Sequence, residues 1–93
     1  MVTVEVRQLV WDNWNINHIK KHKVKPEEVE QAIESKTKTL ESYQKRLLVL
    51  EQTNKKRLLT FVLELVENKK YYLVTARDMS RKERRYYNEQ KNS

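Results

Sequence analysis

The chain has 93 residues, with no cysteine and no glycine, and its 20 lysines and arginines outnumber 13 acidic residues to give a net charge of +7. This length suits one domain, residues 1–93, with a single modest core. The absence of cysteine excludes disulfides and cysteine-based zinc sites, and no apolar stretch is long enough to span a membrane. With no signal-peptide pattern at the N-terminus, these features predict a cytoplasmic protein whose partner is anionic: nucleic acid, an acidic protein segment or an anionic surface.

The first third of the chain predicts one strand and two helices. Residues 3–10 alternate partly between apolar and polar side chains, which is typical of a strand. Asp12 can cap a first helix that runs to about His22. Pro26, followed by two acidic residues, predicts a second helix that ends near Ser35.

The remainder predicts four strands and a last helix. The apolar period changes to two over residues 37–43, 46–52, 57–66 and 70–76. Ser80 with Glu83 three residues later is a capping-box pattern for the last helix. Because glycine is absent, we expect Asn54 and Asn68 to take positive φ in the turns. The order β-α-α-β-β-β-β-α predicts an α+β fold: an antiparallel four- to five-stranded sheet with the helices packed on one face.

The junction between the last strand and the last helix concentrates chemically useful groups. Arg77 ends the strand, and its planar guanidinium suits bidentate contact with a phosphate, although it can equally pair with Asp78 or Glu83. Glu83 has an ordinary explanation as a capping residue, and it can also act as a base if it faces Arg77. Both interpretations of each residue remain open from the sequence.

The last helix must bury one side. Tyr86 with Met79 and Gln90 is the predicted buried line, and Arg84, Tyr87 and Lys91 form a second stripe. Runs of charge at a terminus are usually solvated, but tyrosines between basic residues can stack on nucleobases.

The first helix carries two histidines on the face of Trp14. His18 and His22 lie four residues apart, but Ile19 occupies the position where a zinc protease would have glutamate, and no third ligand is evident. They can cover the edge of the core, or His22 can transfer a proton during RNA cleavage. A basic cluster that can follow a phosphate backbone surrounds them: Lys20, Lys21, Lys23 and Lys25.

Two distant blocks of the chain resemble the BrnT-type toxins. The opening block consists of Trp11-Asp12, residues 15–24 and residues 26–30, and the closing block consists of residues 75–80 with Glu83-Arg84-Arg85 and Tyr87. Arg46 and Arg57 stand where that family usually has arginines. The resemblance implies a RelE-like fold and a type II toxin–antitoxin ribonuclease that inhibits translation. It also implies a ribbon-helix-helix antitoxin as partner, with DNA contacted only through that antitoxin.

Carried over by position, the resemblance implies a catalytic group and adds Arg57 and Tyr87, which together with basic residues at both ends of the chain form a predicted RNA-binding set; no metal or cofactor is expected. The catalytic group is His22, Arg77, Glu83 and Arg84. The RNA-binding set is Lys21, Arg57, Arg81, Arg85 and Tyr87. The expected reaction is attack of a 2′-OH on the adjacent phosphate, in which His22 or Glu83 takes the proton.

The chain departs from that family at three loop positions. Lysine stands at positions 23, 45 and 56, where glycine is usual in the family. Loss of these glycines predicts stiffer or reshaped loops around the site. The alternative function is therefore a catalytically degenerate module that binds RNA or the antitoxin.

Overall fold

Three helices and six strands make up the part of the chain that the computed structural model describes, which is residues 2–3, 6–34, 38–41 and 46–91. The helices are α1 (Asn13–Lys20), α2 (Pro26–Ile33) and α3 (Arg81–Lys91). The strands are β1 (Val2–Thr3), β2 (Gln8–Val10), β3 (Lys38–Glu41), β4 (Arg46–Gln52), β5 (Leu58–Glu67) and β6 (Lys70–Asp78). None of the described helices is both long and apolar enough to cross a membrane.

The strands form one mixed sheet in the order β1-β3-β4-β5-β6-β2. The predicted antiparallel meander is present as β3, β4, β5 and β6, but β2 pairs with β6 in parallel. The α+β class is thus confirmed, whereas the expected wholly antiparallel sheet of four or five strands is wrong. Short hairpins force neighbours in the meander to be antiparallel, but β2 reaches the meander only through α1 and α2, so no hairpin sets its direction.

The single strand predicted over residues 3–10 is wrong, because its two ends pair with opposite edges of the sheet. β1 pairs with β3, and β2 pairs with β6. Five residue steps separate Thr3 from Gln8 and span at most roughly 17 Å, whereas the edges of a flat six-stranded sheet lie about 24 Å apart. The sheet must therefore curve strongly, so that one N-terminal segment can reach both edges.

The helices pack on opposite faces of this sheet. The main core lies between the sheet and the first two helices, and it includes Ile19 of α1 and Val29 of α2 with Val49 of β4. The next residue along β4, Leu50, points to the other face and packs with Met79 and Tyr87 under α3. The expectation that all helices share one face is therefore wrong.

The helix starts predicted from capping residues are confirmed, whereas the predicted helix ends are two residues too late. Asp12 caps α1 in a reciprocal box with Asn15, and α2 begins at Pro26. α1 ends at Lys20 rather than near His22, and α2 ends at Ile33 rather than near Ser35, which lies outside the described residues. Of the strand predicted over residues 37–43, residues 37, 42 and 43 also lie outside the described part.

Lysines, and not the predicted asparagines, take positive φ in the turns. Lys23, Lys56 and Lys69 have φ values of 58°, 63° and 57°. After α1, the amide of Lys23 donates to the Lys20 carbonyl at 3.0 Å and that of Val24 to the Ile19 carbonyl at 3.1 Å. This is the bond pattern of a Schellman motif, whose left-handed position is usually glycine.

The expectation at Asn54 and Asn68 is wrong because the left-handed residue comes later in each turn. Lys56 closes the turn after β4, where its amide donates to the Thr53 carbonyl at 2.9 Å. Positions 23 and 56 are two of the three loop positions at which the sequence departs from the glycine of the BrnT-type pattern. Lys45, the third, lies outside the described residues.

We expect Lys23→Gly to raise the free energy of unfolding by about 0.5 kcal/mol, because relief of left-handed strain exceeds the entropy cost of glycine. Lys21→Gly is the matched control. It removes the same charge two residues earlier, at a right-handed φ of −62°, and should lower stability by about 0.5 kcal/mol. Urea denaturation measures both, and equal effects of the two substitutions would contradict a role for backbone strain.

Candidate functional site

Arg77 and Glu83 form a bidentate ion pair at the junction of β6 and α3. Arg77 Nη1 lies 2.8 Å from Glu83 Oε1, and Nη2 lies 3.1 Å from Oε2. Thr60, the partner of Arg77 across the β5–β6 ladder, donates its hydroxyl to Glu83 Oε1 at 2.8 Å. The backbone amide of Ser80 donates to the same oxygen at 2.8 Å, and the Ser80 hydroxyl accepts from the Glu83 amide, which completes the predicted capping box.

These contacts determine the protonation state of Glu83. Partial burial on its own would raise the pKa of the carboxyl, but hydrogen bonds from Arg77, the Ser80 amide and Thr60, with the charge of Arg77, lower the pKa to about 2. The hydrogen bond that Arg77 donates to Glu83 also raises the pKa of Arg77. Glu83 is thus an ionised acceptor at neutral pH and a poor general base, whereas the Arg77 side chain stays 36% exposed.

Arg57 is a second centre of polar contacts at the same end of the sheet. Its Nη2 donates to the His22 carbonyl at 3.1 Å and its Nη1 to the Lys23 carbonyl at 2.6 Å. Nη1 also lies 3.3 Å from Glu28 Oε1, and Nε lies 3.4 Å from Asp78 Oδ1. One guanidinium therefore holds the turn after α1, the start of α2 and the end of β6. We call this group the Arg57 clamp.

The predicted catalytic group is divided between the two faces of the sheet. Arg77 faces α3 with its ladder partner Thr60, whereas Asp78 shares the α1–α2 face with its partner Leu59, which lies in the main core. The Arg57 clamp holds the backbone of His22 next to Asp78. His22 and Arg77 therefore lie at one end of the sheet and approach it from different sides.

The Arg84 side chain contacts the backbone just after the end of β6. Its Nε donates to the Met79 carbonyl at 3.2 Å, and the residue is otherwise exposed. Of the four predicted catalytic residues, Arg77 and Glu83 are in direct contact, and Arg84 contacts the backbone between β6 and α3. The backbone of His22 is connected to the end of β6 through Arg57.

The predicted RNA-binding residues occupy different environments. Lys21, Arg81 and Arg85 are exposed, whereas Arg57 is half-buried in its clamp. Tyr87 is only 9% exposed, and burial together with the charge of Glu51 raises its pKa. The predicted buried line of α3 is thus wrong in one respect, since Tyr87 and not Tyr86 is its most buried aromatic residue. Because Tyr87 packs under the helix, its ring is not presented to a nucleobase.

Several residues of the opening block have structural roles that sequence reasoning missed. The indole N–H of Trp11 donates to Glu30 Oε1 at 2.7 Å. Asn15 is fully buried, and its amide donates to the carbonyls of Val10 and Leu73 at 2.9 and 3.1 Å. The spacing of Asn15 from Asp12 was a usable sign of a capping box. No sequence signal linked Thr60 to Glu83 or Glu28 to Arg57, because these pairs lie 23 and 29 residues apart.

Three aromatic rings line one side of α1 and of the turn that follows it. The rings of Trp14 and His18 stack with centroids 4.8 Å apart and planes 7° from parallel, and His22 meets His18 edge-on at 5.7 Å. We call these residues the α1 ring stack. Among the described residues, no group of three or more His, Cys, Asp or Glu side chains is arranged to hold a metal ion.

Comparisons with known protein families, with curated proteins and with solved structures found no match to this chain. Its function is therefore inferred from its own residues. The candidate groups are the Arg77–Glu83 pair, the Arg57 clamp with His22, and the exposed basic and aromatic surface of α1.

Proposed function

We propose that this chain is a RelE-like toxin of the BrnT type, one half of a type II toxin–antitoxin pair, and that it cleaves RNA without a metal. The Arg57 clamp is the observation that carries the proposal. It joins the carbonyl of His22 to the carboxylate of Asp78, so the backbone of His22, whose side chain is exposed, lies near the end of the strand that also bears Arg77. Cleavage of RNA needs a proton acceptor and a cation at one phosphate, and we propose that a phosphate bound across this end of the sheet is reached by His22 from one side and by Arg77 from the other.

In the proposed reaction, His22 takes the proton of a ribose 2′-OH and that oxygen attacks the adjacent phosphorus. The bond from phosphorus to the 5′-oxygen breaks, the leaving oxygen takes up a proton from water, and a 2′,3′-cyclic phosphate remains. Arg77 and Arg84 stabilise the negative charge that develops on the phosphoryl oxygens. Glu83, with a pKa of about 2, holds the guanidinium of Arg77 in place and is not the base.

Incubation of the purified protein with single-stranded RNA in EDTA tests the reaction. We expect cleavage with cyclic phosphate ends, lowered at least tenfold by His22→Ala and by Arg77→Ala. His18→Ala is the matched control and should keep its rate at saturating RNA. Circular dichroism checks that each variant is folded. Cleavage that disappears in EDTA, or that survives unchanged in both His22→Ala and Arg77→Ala, would refute the mechanism.

A non-catalytic module that binds RNA or the antitoxin is the second candidate. It is favoured by the closed Arg77–Glu83 pair, in which each charge is already neutralised by the other. Expression in a bacterial host separates the two functions. A ribonuclease arrests growth unless a ribbon-helix-helix antitoxin is co-expressed, and His22→Ala relieves the arrest, whereas a binding module leaves growth unaffected.

A further inference from the structure

The α1 ring stack contains an indole that is exposed and held in position at the same time. Trp14 is 58% exposed, more than any other large apolar side chain among the described residues. Its ring lies nearly parallel to that of His18, which supports one face of the indole. The side chain is therefore ordered before any partner arrives, so binding to its open face loses little conformational entropy.

The segment of chain that bears the ring stack carries charge of one sign. Between Asp12 and Glu27 the chain has four lysines and no acidic residue. Lys21 is exposed and follows His18 by three residues and Trp14 by seven, which places it on the same side of the helix turn as the rings. An ordered aromatic face beside an exposed lysine fits a ligand that is both planar and anionic.

We propose that Trp14 is a stacking platform for a base of single-stranded RNA, with Lys21 on a neighbouring phosphate and His18 as the positioning residue of the indole. The proposal deepens the proposed function and rests on it, since it names the form of RNA that the site accepts. Unpaired bases offer a free face for stacking, whereas bases within a duplex do not. An acidic peptide can neutralise the lysines, but its carboxylates offer no planar ring to stack on the ordered indole.

Binding of a fluorescently labelled, single-stranded 2′-O-methyl RNA oligonucleotide tests this platform. The methyl group blocks attack by the 2′-oxygen, so affinity is measured without cleavage. We expect Trp14→Ala to weaken affinity about tenfold, in line with the loss of one base stack, and Trp14→Phe to restore most of it. His18→Ala should weaken affinity less than Trp14→Ala, and tryptophan fluorescence should be quenched by the oligonucleotide in the parent protein and not in Trp14→Phe.

Ile16→Ala is the matched control, because Ile16 is a partly exposed apolar residue on another side of the same helix, and it should bind like the parent protein. Equal affinity of Trp14→Ala and the parent protein overturns the proposal, as does equal binding of double-stranded RNA. Displacement of the oligonucleotide by polyglutamate, with the same dependence on Trp14, overturns it in favour of an acidic protein partner. If the protein binds the oligonucleotide through Trp14 but does not cleave ordinary RNA, the proposed ribonuclease is refuted and the stacking platform stands. If the protein cleaves RNA but Trp14→Ala binds the oligonucleotide with unaltered affinity, the stacking platform is refuted and the ribonuclease stands.

Discussion

Asn15→Ala is expected to lower the free energy of unfolding by about 3 kcal/mol, a large fraction of the stability of a small domain. The Asn15 amide joins α1 to the edge of the sheet, because it donates to one carbonyl of β2 and one of β6. Its side-chain oxygen also accepts from the Asp12 amide at 2.9 Å. Removal of the side chain leaves these buried groups without their partner and opens a cavity.

Two further variants separate the hydrogen bonds from simple packing. Asn15→Asp keeps the shape but replaces the donor with an acceptor that faces two carbonyls, so it should destabilise the protein at least as much as Asn15→Ala. Asn17→Ala, on the exposed side of α1, should change stability by less than about 0.5 kcal/mol. Urea denaturation at constant m-value measures all three. A loss below about 1 kcal/mol in Asn15→Asp would show that the bonds to the strands contribute little.

Glu83→Gln is expected to destabilise the protein by about 2 kcal/mol at pH 7 and by much less at pH 2. The carboxyl has a pKa of about 2 in the folded chain against an ordinary 4.5. A depressed pKa means that the carboxylate stabilises the fold fully above pH 4.5, and that this contribution is lost as pH falls from 4.5 towards 2. The partial exposure of Arg77 reduces the expected effect below the value that the whole pKa shift would give.

Denaturation of the parent protein and of Glu83→Gln across this pH range measures the difference directly. Glu89→Gln is the matched control, because Glu89 is exposed on the same helix and its substitution should have a small effect at every pH. A difference between Glu83→Gln and the parent protein that is the same at pH 2 and pH 7 would show that the ion pair with Arg77 does not set the stability of this junction.

The closing block combines structural and chemical roles in the same residues. Arg77 and Glu83 fasten α3 to β6 through a bidentate pair, and the pair also orients the guanidinium proposed to meet phosphate. His22 and Trp14 differ from them, because their side chains are exposed and the fold does not depend on burying them. Substitutions at His22 and Trp14 therefore test function with the least disturbance of stability.

The sequence by itself determined the α+β class, the antiparallel meander and the starts of all three helices. These features depend on caps and apolar periods, which act between residues at most a few positions apart. For that reason the helix starts could be predicted from Asp12, Pro26 and the Ser80–Glu83 capping box. The sequence also pointed to the strand end at Arg77 and to His22 as places of interest.

Only the tertiary structure decided how those places are arranged. The sequence left open whether Arg77 contacts a phosphate or a carboxylate. In the structure Arg77 pairs with Glu83, and Thr60, 17 residues before Arg77 in the chain, donates a further hydrogen bond to the same carboxylate. Arg57 contacts the His22 carbonyl across 35 residues, and Asn15 contacts Leu73 across 58. Such contacts follow from the curvature of the sheet and from which face each strand residue occupies, and no local pattern encodes them.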